Sequence, residues 1–445
     1  MTAHSWGRSE AGLSRWPVKP EIGGSSPVAP VAKNANGIFG VGVLTLSKLH
    51  TNASRGLETK PPPSECEEEP VCQTGFFYQE EENMAFSLDT SYPVVFRAKY
   101  TGKEWQSEYM EKPHKTPEAE AAMTDSERDA LISSRNYYAD MPLVNYTTQY
   151  GLGCFEGLKA MPQKDGGLAL FRPGENAARF YRSMKGLFMP PFPKEEFLKA
   201  CIETVAKNAK LGFRPQYKNE WEKDSFISAD SIYVRPFALS EAGIGVNISN
   251  APYVMVVTTL VSAYFSGSNS DAVVSERIRA TPHGTGWIKA SANYTIAALA
   301  KHEALDAGFM ECIFLDAEHH KYVEEGSSCN IFFYLKSGEL VTPELGDTIL
   351  PGITRASVIE LARDRNVKVT ERKISIEEAL GETRECFVSG TAAGATPIGS
   401  LTYKGKKTVF NQGKVGELTA SIRDTLKGIQ YGVIPDTKGW VTRVG

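Results

Sequence analysis

A change of character near residue 84 constrains this chain more than any other feature. Residues 1–83 are rich in Gly, Pro and Ser, with three consecutive prolines at 61–63 and acidic runs at 67–69 and 80–82. No amphipathic period survives there for more than a few residues, so disorder is expected. The apolar stretch 38–46 lies too far from the N-terminus, and without a basic lead-in, to be a secretory core. Glu80-Glu81-Glu82-Asn83 directly before Met84 also reads as a translated purine-rich ribosome-binding tract. Residues 1–83 are therefore expected to be a disordered extension or residues ahead of a true start at Met84. What remains is 445 − 83 = 362 residues, enough for two domains of roughly 180 residues with a site between them.

From Met84 the chain is patterned. Residues 94–100 read as a strand. Pro193 opens a helix in which Leu198, Ile202, Val205 and Ala209 recur at helical spacing. Residues 231–236 and 253–265 read as strands, and the Gly/Ser/Asn-rich stretch from 266, polar on to Ser275, as a linker. The expected domains are 85–265 and 276–445, joined by a loop at 266–275. An Ala-rich helix over 290–307 should stop at Gly308. Strands at 312–315 and 331–334 and a helix over 354–364 follow. Strands and helices at irregular intervals predict an α/β or α+β architecture, with no internal repeat.

Composition narrows the function classes. With 49 Lys+Arg against 53 Asp+Glu and a net charge of -4, and no dense basic cluster, nucleic-acid binding is not the expected work. The longest apolar run, 253–265, is too short to cross a bilayer and is interrupted by Thr258, Thr259 and Ser262. Seven scattered cysteines form no disulfide framework, so a reducing compartment, the cytoplasm, is expected. Cys66 and Cys72 lack a second pair or a nearby His, and His319-His320 reads as an exposed turn, so no metal site is expected.

Six segments could carry chemistry. Lys289 stands alone among apolar and small residues in Gly284-Thr-Gly-Trp-Ile-Lys-Ala-Ser-Ala-Asn-Tyr294, where desolvation could make it a neutral, nucleophilic amine, although this segment by itself reads more readily as an ordinary surface lysine. Glu325 precedes Gly-Ser-Ser-Cys-Asn-Ile-Phe-Phe, heading a turn into an apolar strand. Leu350-Pro-Gly-Ile-Thr-Arg355 enters a helix whose first amides are a natural anion site. Ser389-Gly-Thr-Ala-Ala-Gly394 offers another turn of free amides. Tyr150-Gly-Leu-Gly-Cys-Phe-Glu-Gly157 places small residues around aromatics, and Arg179 lies in a helix where it could fork onto a phosphate or pair at the surface.

In this order the segments resemble those of the class IV aminotransferases, pyridoxal-phosphate enzymes of fold type IV, and within them the branched-chain amino acid aminotransferases. The resemblance runs from about Phe86 to Trp440. Its most specific piece is Glu325-Gly-Ser-Ser-Cys-Asn330-Ile-Phe followed by Val341-Thr342 and Leu350-Pro-Gly-Ile-Thr-Arg355. Tyr233-Val-Arg-Pro236, Lys289 with Asn293-Tyr294, and Ser389-Gly-Thr-Ala392 add to it.

The resemblance implies a smaller N-terminal α/β domain, a larger C-terminal domain with a β-barrel-like core, and pyridoxal 5'-phosphate between them. Lys289 would bond the cofactor aldehyde and shuttle a proton. Glu325 would face the pyridine nitrogen, its own pKa depressed by that partner. Tyr294 would hydrogen-bond the ring hydroxyl. Arg179, the amides of Ile353 and Thr354, and Thr391 with Gly390 would hold the phosphate. Tyr150, Phe155 and Tyr233 would line an apolar substrate pocket, the Thr391 and Ala392 amides would take the α-carboxylate, and Arg235 would meet the second carboxylate of glutamate. The implied reaction is a ping-pong exchange between L-leucine, L-isoleucine or L-valine and 2-oxoglutarate, in a homodimer.

Rivals on the same fold are a D-amino acid aminotransferase and an aminodeoxychorismate lyase; a catalytically silent binding protein is the rival of another class. The animal branched-chain enzymes carry a Cys-x-x-Cys pair where this chain has Ala393 and Thr396, so no thiol switch is expected there.

Overall fold

The computed structural model describes residues 88, 90–138, 140–262 and 270–444. The reading of residues 1–83 and the first part of the linker lie outside the described residues. In the strand Val94–Tyr100, Phe96 and Ala98 turn into a core while Arg97 and Lys99 face the other way, the period-two alternation of a pleated strand.

That strand belongs to an eight-stranded antiparallel sheet. Its order is Val441–Val444, Leu168–Phe171, Leu158–Pro162, Ser231–Leu239, Tyr253–Val261, Val94–Tyr100 and Trp105–Glu111, with Cys154–Phe155 also paired onto Ser231–Leu239. Helices Pro173–Gly186 and Lys194–Lys210 cover one face, bringing Phe180, Met184, Phe197 and Val205 against Leu158, Ala160, Val234 and Val254. The second helix starts after Pro193, as its sequence predicts. Its deepest line, however, is Phe197, Ala200, Cys201, Thr204, Val205 and Asn208, with Leu198, Ile202 and Ala209 flanking it. Asn208 ties that helix to the sheet: its Oδ1 accepts from the Val94 amide at 2.8 Å and its Nδ2 donates to the Val94 carbonyl at 2.8 Å.

The second sheet has ten strands and curls upon itself. Its main path runs Lys368–Glu371, Glu339–Thr342, Asn330–Leu335, Val323–Gly326, Glu311–Leu315, Asp271–Val274, Ser400–Tyr403 and Lys406–Val409. Thr383–Gly390 also pairs antiparallel with Asn330–Leu335, and Gly394–Ile398 pairs in turn with Thr383–Gly390. Asp271–Val274, at the end of the stretch read above as linker, is a paired strand, parallel to Glu311–Leu315. The helix Asn293–Asp306 ends at Ala307, and Gly308 takes the left-handed conformation that turns the chain back (φ +82°). The overall class is mixed α/β with two sheets, as expected.

A further core lies where the two sheets meet. Met161 and Phe171 of the first pack with Phe332 and Phe387 of the second, and with Val358, Ile422 and Tyr431 from the helices Ile353–Arg363 and Glu417–Gln430 and the cap of the latter. Phe332 and Phe387 stack with ring centroids 5.0 Å apart. The last strand, Val441–Val444, returns from the second half of the chain to pair with Leu168–Phe171 on the edge of the first sheet. No helix among the described residues is long and apolar enough to cross a membrane.

The stacked Phe332 is fully buried, so Phe332→Ala should destabilise the protein by about 3–5 kcal/mol through lost burial and the void left behind. Urea unfolding measures this, and a loss below about 1 kcal/mol would mean that the core collapses onto the void.

Candidate active site

Alternation along Ser231–Leu239 puts Tyr233 and Arg235 on one face of the first sheet. Phe155 pairs beside them on the same sheet. The Arg235 guanidinium lies 4.6 Å from the Phe155 ring centroid and 5.1 Å from that of Tyr233, and it donates to the Tyr233 hydroxyl at 3.0 Å. Its Nε is buried without a partner. Gly157 is required here: a Cβ would stand 2.1 Å from the Tyr233 hydroxyl oxygen.

Opposite them the second lobe, meaning the part of the chain built on the ten-stranded sheet as the first lobe is built on the eight-stranded one, presents Lys289. Its segment bridges the lobes, because the Phe155 amide donates to the Lys289 carbonyl at 3.1 Å and Cys154 pairs with Ala290. Ser183 of the first lobe accepts from the Lys289 amide at 3.2 Å. Asn293 braces the turn by donating to the carbonyls of Thr285 and Ile288. Lys289 Nζ then reaches the Tyr294 hydroxyl at 2.8 Å and sits 4.8 Å from the Phe155 ring centroid.

Glu325 enters from the strand Val323–Gly326 and is buried. Its Oε1 pairs with Arg279 at 2.7 Å and accepts from the Leu350 amide at 3.2 Å, while Oε2 accepts from Asn330 at 3.2 Å. Next to it the helix Ile353–Arg363 begins at Gly352 with no side-chain cap, so its first amides point out unspent. A Cβ on Gly352 would lie 2.0 Å from Asn330 Oδ1, so only glycine allows the helix this close. These groups, with Ser327, Ser328, Ser389, Gly390, Thr391 and Ala392, line a cavity of about 420 Å³.

Arg179 holds the cavity's first-lobe wall. Its Nε and Nη2 fork onto Glu156 at 2.7 and 2.9 Å, and Nη1 donates to the Pro351 carbonyl at 3.0 Å. Asn176 adds a 2.7 Å bond to Glu156, which is fully buried. Burial by itself would raise the Glu156 pKa, but Arg179 outweighs it and holds the carboxyl below the usual range. Burial, helped by the Arg179 charge, pushes Lys289 down to about 8. Burial pushes Tyr294 up to about 12. Burial drives Glu325 up to about 7, and Arg279 only moderates the rise; the depression expected of it is the one a bound ring nitrogen would exert.

The fold thus brings together Lys289, Arg179, Tyr294, Glu325, Phe155, Tyr233, Arg235, Ile353, Thr354, Gly390, Thr391 and Ala392. Tyr150 is not among the lining residues; it is partly exposed and its hydroxyl accepts from the Gly245 amide at 3.0 Å. Two important residues escaped the sequence reading. Arg279 is buried on Glu325, whereas Arg277, two positions earlier, is half-buried and paired with Glu303; nothing local separates the two. Glu156 sits inside a recognised motif, but its role depends on Arg179, which lies 23 positions further on.

The cavity fits a phosphorylated aldehyde cofactor by the chemistry of its donors. It has a lysine poised to lose its proton, uncapped helix amides, an unpartnered Ser389 hydroxyl and a carboxylate held by a guanidinium.

A family model described as amino-transferase class IV matches residues 153–401. The branched-chain-amino-acid aminotransferase of Mycolicibacterium smegmatis is 38% identical over 307 residues, covering 66% of this chain and 80% of that one. Branched-chain-amino-acid transaminase 1 of Bacillus subtilis is 36% identical, over 66% of this chain and 82% of its own. Among solved structures, the branched-chain aminotransferase of the thermophilic archaeon Thermoproteus uzoniensis with norvaline has a TM-score of 0.59 at 30% identity, covering 69% of this chain and 95% of that one.

Removing one partner of a buried ion pair leaves a stranded charge. Glu156→Ala should therefore destabilise the fold by about 3–5 kcal/mol, read by denaturant unfolding. A loss no larger than that of an exposed pair would show that Arg179 finds another anion.

Proposed function

This chain belongs to the class IV aminotransferases, a family of pyridoxal-phosphate enzymes, and from that premise we propose that it moves an amino group reversibly between L-leucine, L-isoleucine or L-valine and 2-oxoglutarate. The observation that carries the reading is the meeting of Lys289, Tyr294, Glu325 and Arg179 with an uncapped helix N-terminus on one cavity. The names of the relatives support the branched-chain substrates.

In this reading pyridoxal phosphate, when bound, supplies an aldehyde that carries the amino group and a ring that accepts electrons. Arg179, the Ile353 and Thr354 amides, Gly390 and Thr391 hold the phosphate; Glu325 faces the ring nitrogen and Tyr294 the ring hydroxyl. Lys289 would take the proton from the substrate Cα and deliver it to the former aldehyde carbon of the cofactor. Its amine must be neutral to accept a proton, and Arg179 nearby opposes its charge. Arg279, with the Leu350 amide and Asn330, holds the Glu325 carboxylate in place on the cavity wall. Phe155 and Tyr233 wall the space for a branched aliphatic chain, the Thr391 and Ala392 amides take the α-carboxylate, and Arg235, with an unspent Nε, meets the second carboxylate of glutamate.

We also propose a homodimer. Leu143, Val144, Ile244 and Val246 are exposed apolar residues on two loops joined by the Gly243 amide bonding the Val144 carbonyl, a surface that a second copy would cover. The five described cysteines are free thiols, in keeping with a reducing cytoplasm.

The test is transamination by the purified protein, followed with its visible absorbance. L-leucine should shift the band and 2-oxoglutarate should restore it, with glutamate formed. A response to D-alanine instead would point to a D-amino acid aminotransferase, and lyase activity without transfer to the lyase. Lys289→Ala should lower turnover by about three orders of magnitude or more, because one group is both nucleophile and proton carrier.

The pKa of about 8 sets a pH dependence. The neutral amine becomes the major form as pH rises through that value, so about a tenth is neutral at pH 7, against a few in ten thousand for an ordinary lysine. Uptake of pyridoxal phosphate by the cofactor-free protein should therefore accelerate with a midpoint near 8; a midpoint near 10 would show that the amine is not desolvated.

A further inference from the structure

Glu324 and Glu325 are neighbours on the strand Val323–Gly326 but line different cavities. Glu325 faces the candidate active site, and Glu324 faces a separate cleft of about 190 Å³. Glu324 is only 7% exposed, and its Oε2 is buried with no hydrogen-bond partner. A buried acceptor left unsatisfied is costly, and more so when it carries charge.

The cleft is built for the missing partner. Asp316, Glu318, Glu344 and Asp347 also line it, against the single basic lining residue Lys373. Lys373 forms no ion pair with Glu324 among the described residues. Asp316 is already satisfied by the amides of His319, Lys321 and Tyr322. Between the acids the walls are apolar, from Leu345, Ile349 and Pro343. Among the described residues no three His, Cys, Asp or Glu side chains are grouped to hold a metal ion, and hydrocarbon walls suit a metal poorly. An organic cation with an aliphatic stem matches both halves of the lining.

We propose that this cleft is a binding site for a short alkyl cation bearing N–H donors, its charged head on Glu324 Oε2 and its stem along Leu345 and Ile349. Burial, reinforced by Asp316, pushes the Glu324 carboxyl up against the pull of Thr348, Arg279 and Lys373, as befits an acid short of a counter-charge. The proposal does not depend on the function argued above.

n-Butylguanidinium is the probe, since it does not readily condense with an aldehyde at the other cavity. Calorimetric titration of the full-length holoenzyme should show saturable 1:1 binding that Glu324→Gln weakens roughly tenfold to a hundredfold, the range of a buried charge-assisted bond. Guanidinium itself, lacking the stem, should bind more weakly. No saturable heat with the wild type, or equal binding by Glu324→Gln, overturns the site; equal binding of guanidinium overturns the role of the apolar walls. Should Glu324→Gln fail to fold, the rim variants Glu344→Gln and Asp347→Asn take its place: combined, they should weaken binding about threefold to tenfold, and unchanged affinity overturns the proposal.

Discussion

The buried pairing of Arg179 with Glu156 is the interaction on which the site's geometry depends. Both residues come from the first lobe, yet the third guanidinium donor rests on the Pro351 carbonyl, directly ahead of the helix Ile353–Arg363 in the second. One planar side chain therefore fixes a wall of the cavity and the place where unspent amides converge. Desolvating a guanidinium is expensive, and the fork onto Glu156, with Asn176 behind it, is what makes the position tenable. A lysine could not span the same three acceptors in one plane.

The two lobes divide the labour by chemistry. The first sheet contributes rings and guanidinium groups at fixed spacing along strands, where alternation alone sets direction. The second contributes the ends of elements: a lysine ahead of a helix, a carboxylate on a short strand, a helix start and a tight turn. Such ends leave backbone groups unpaired, which is why anion-holding parts gather there. Around the cavity Arg235 and Lys289 lie over aromatic faces while Arg179 and Arg279 pair with Glu156 and Glu325, so that each buried charge meets a partner or an aromatic face.

Much of this was legible in the chain itself. Lys289, Tyr294, Glu325 and the Leu350-Pro-Gly-Ile-Thr-Arg segment are marked by small and apolar neighbours, because close packing around a reactive group needs little side-chain volume. The strand Val94–Tyr100 and the helix after Pro193 follow from local periodicity. What stayed hidden depends on distant partners. Arg279 and Arg277 have near-identical surroundings in sequence, and only the fold decides that one is buried on Glu325 and the other left half-buried on Glu303. The upward displacement of Glu325 likewise belongs to burial, which no single segment announces. The helix Lys194–Lys210 shows a smaller miss of the same kind: Phe197 and Asn208, rather than Leu198 and Ile202, define its deepest line, because Asn208 is drawn inward by the polar groups of Val94.

The strand Val441–Val444 pairs with Leu168–Phe171, more than 250 positions earlier. On a ribosome the first sheet must therefore wait, with Leu168–Phe171 as an open edge, until Val441–Val444 has emerged. The order of synthesis and the order of completion are opposed in this molecule. The intervening curled sheet is free to form while its neighbour is still unfinished, and Val441–Val444 acts as the latch that closes the first sheet.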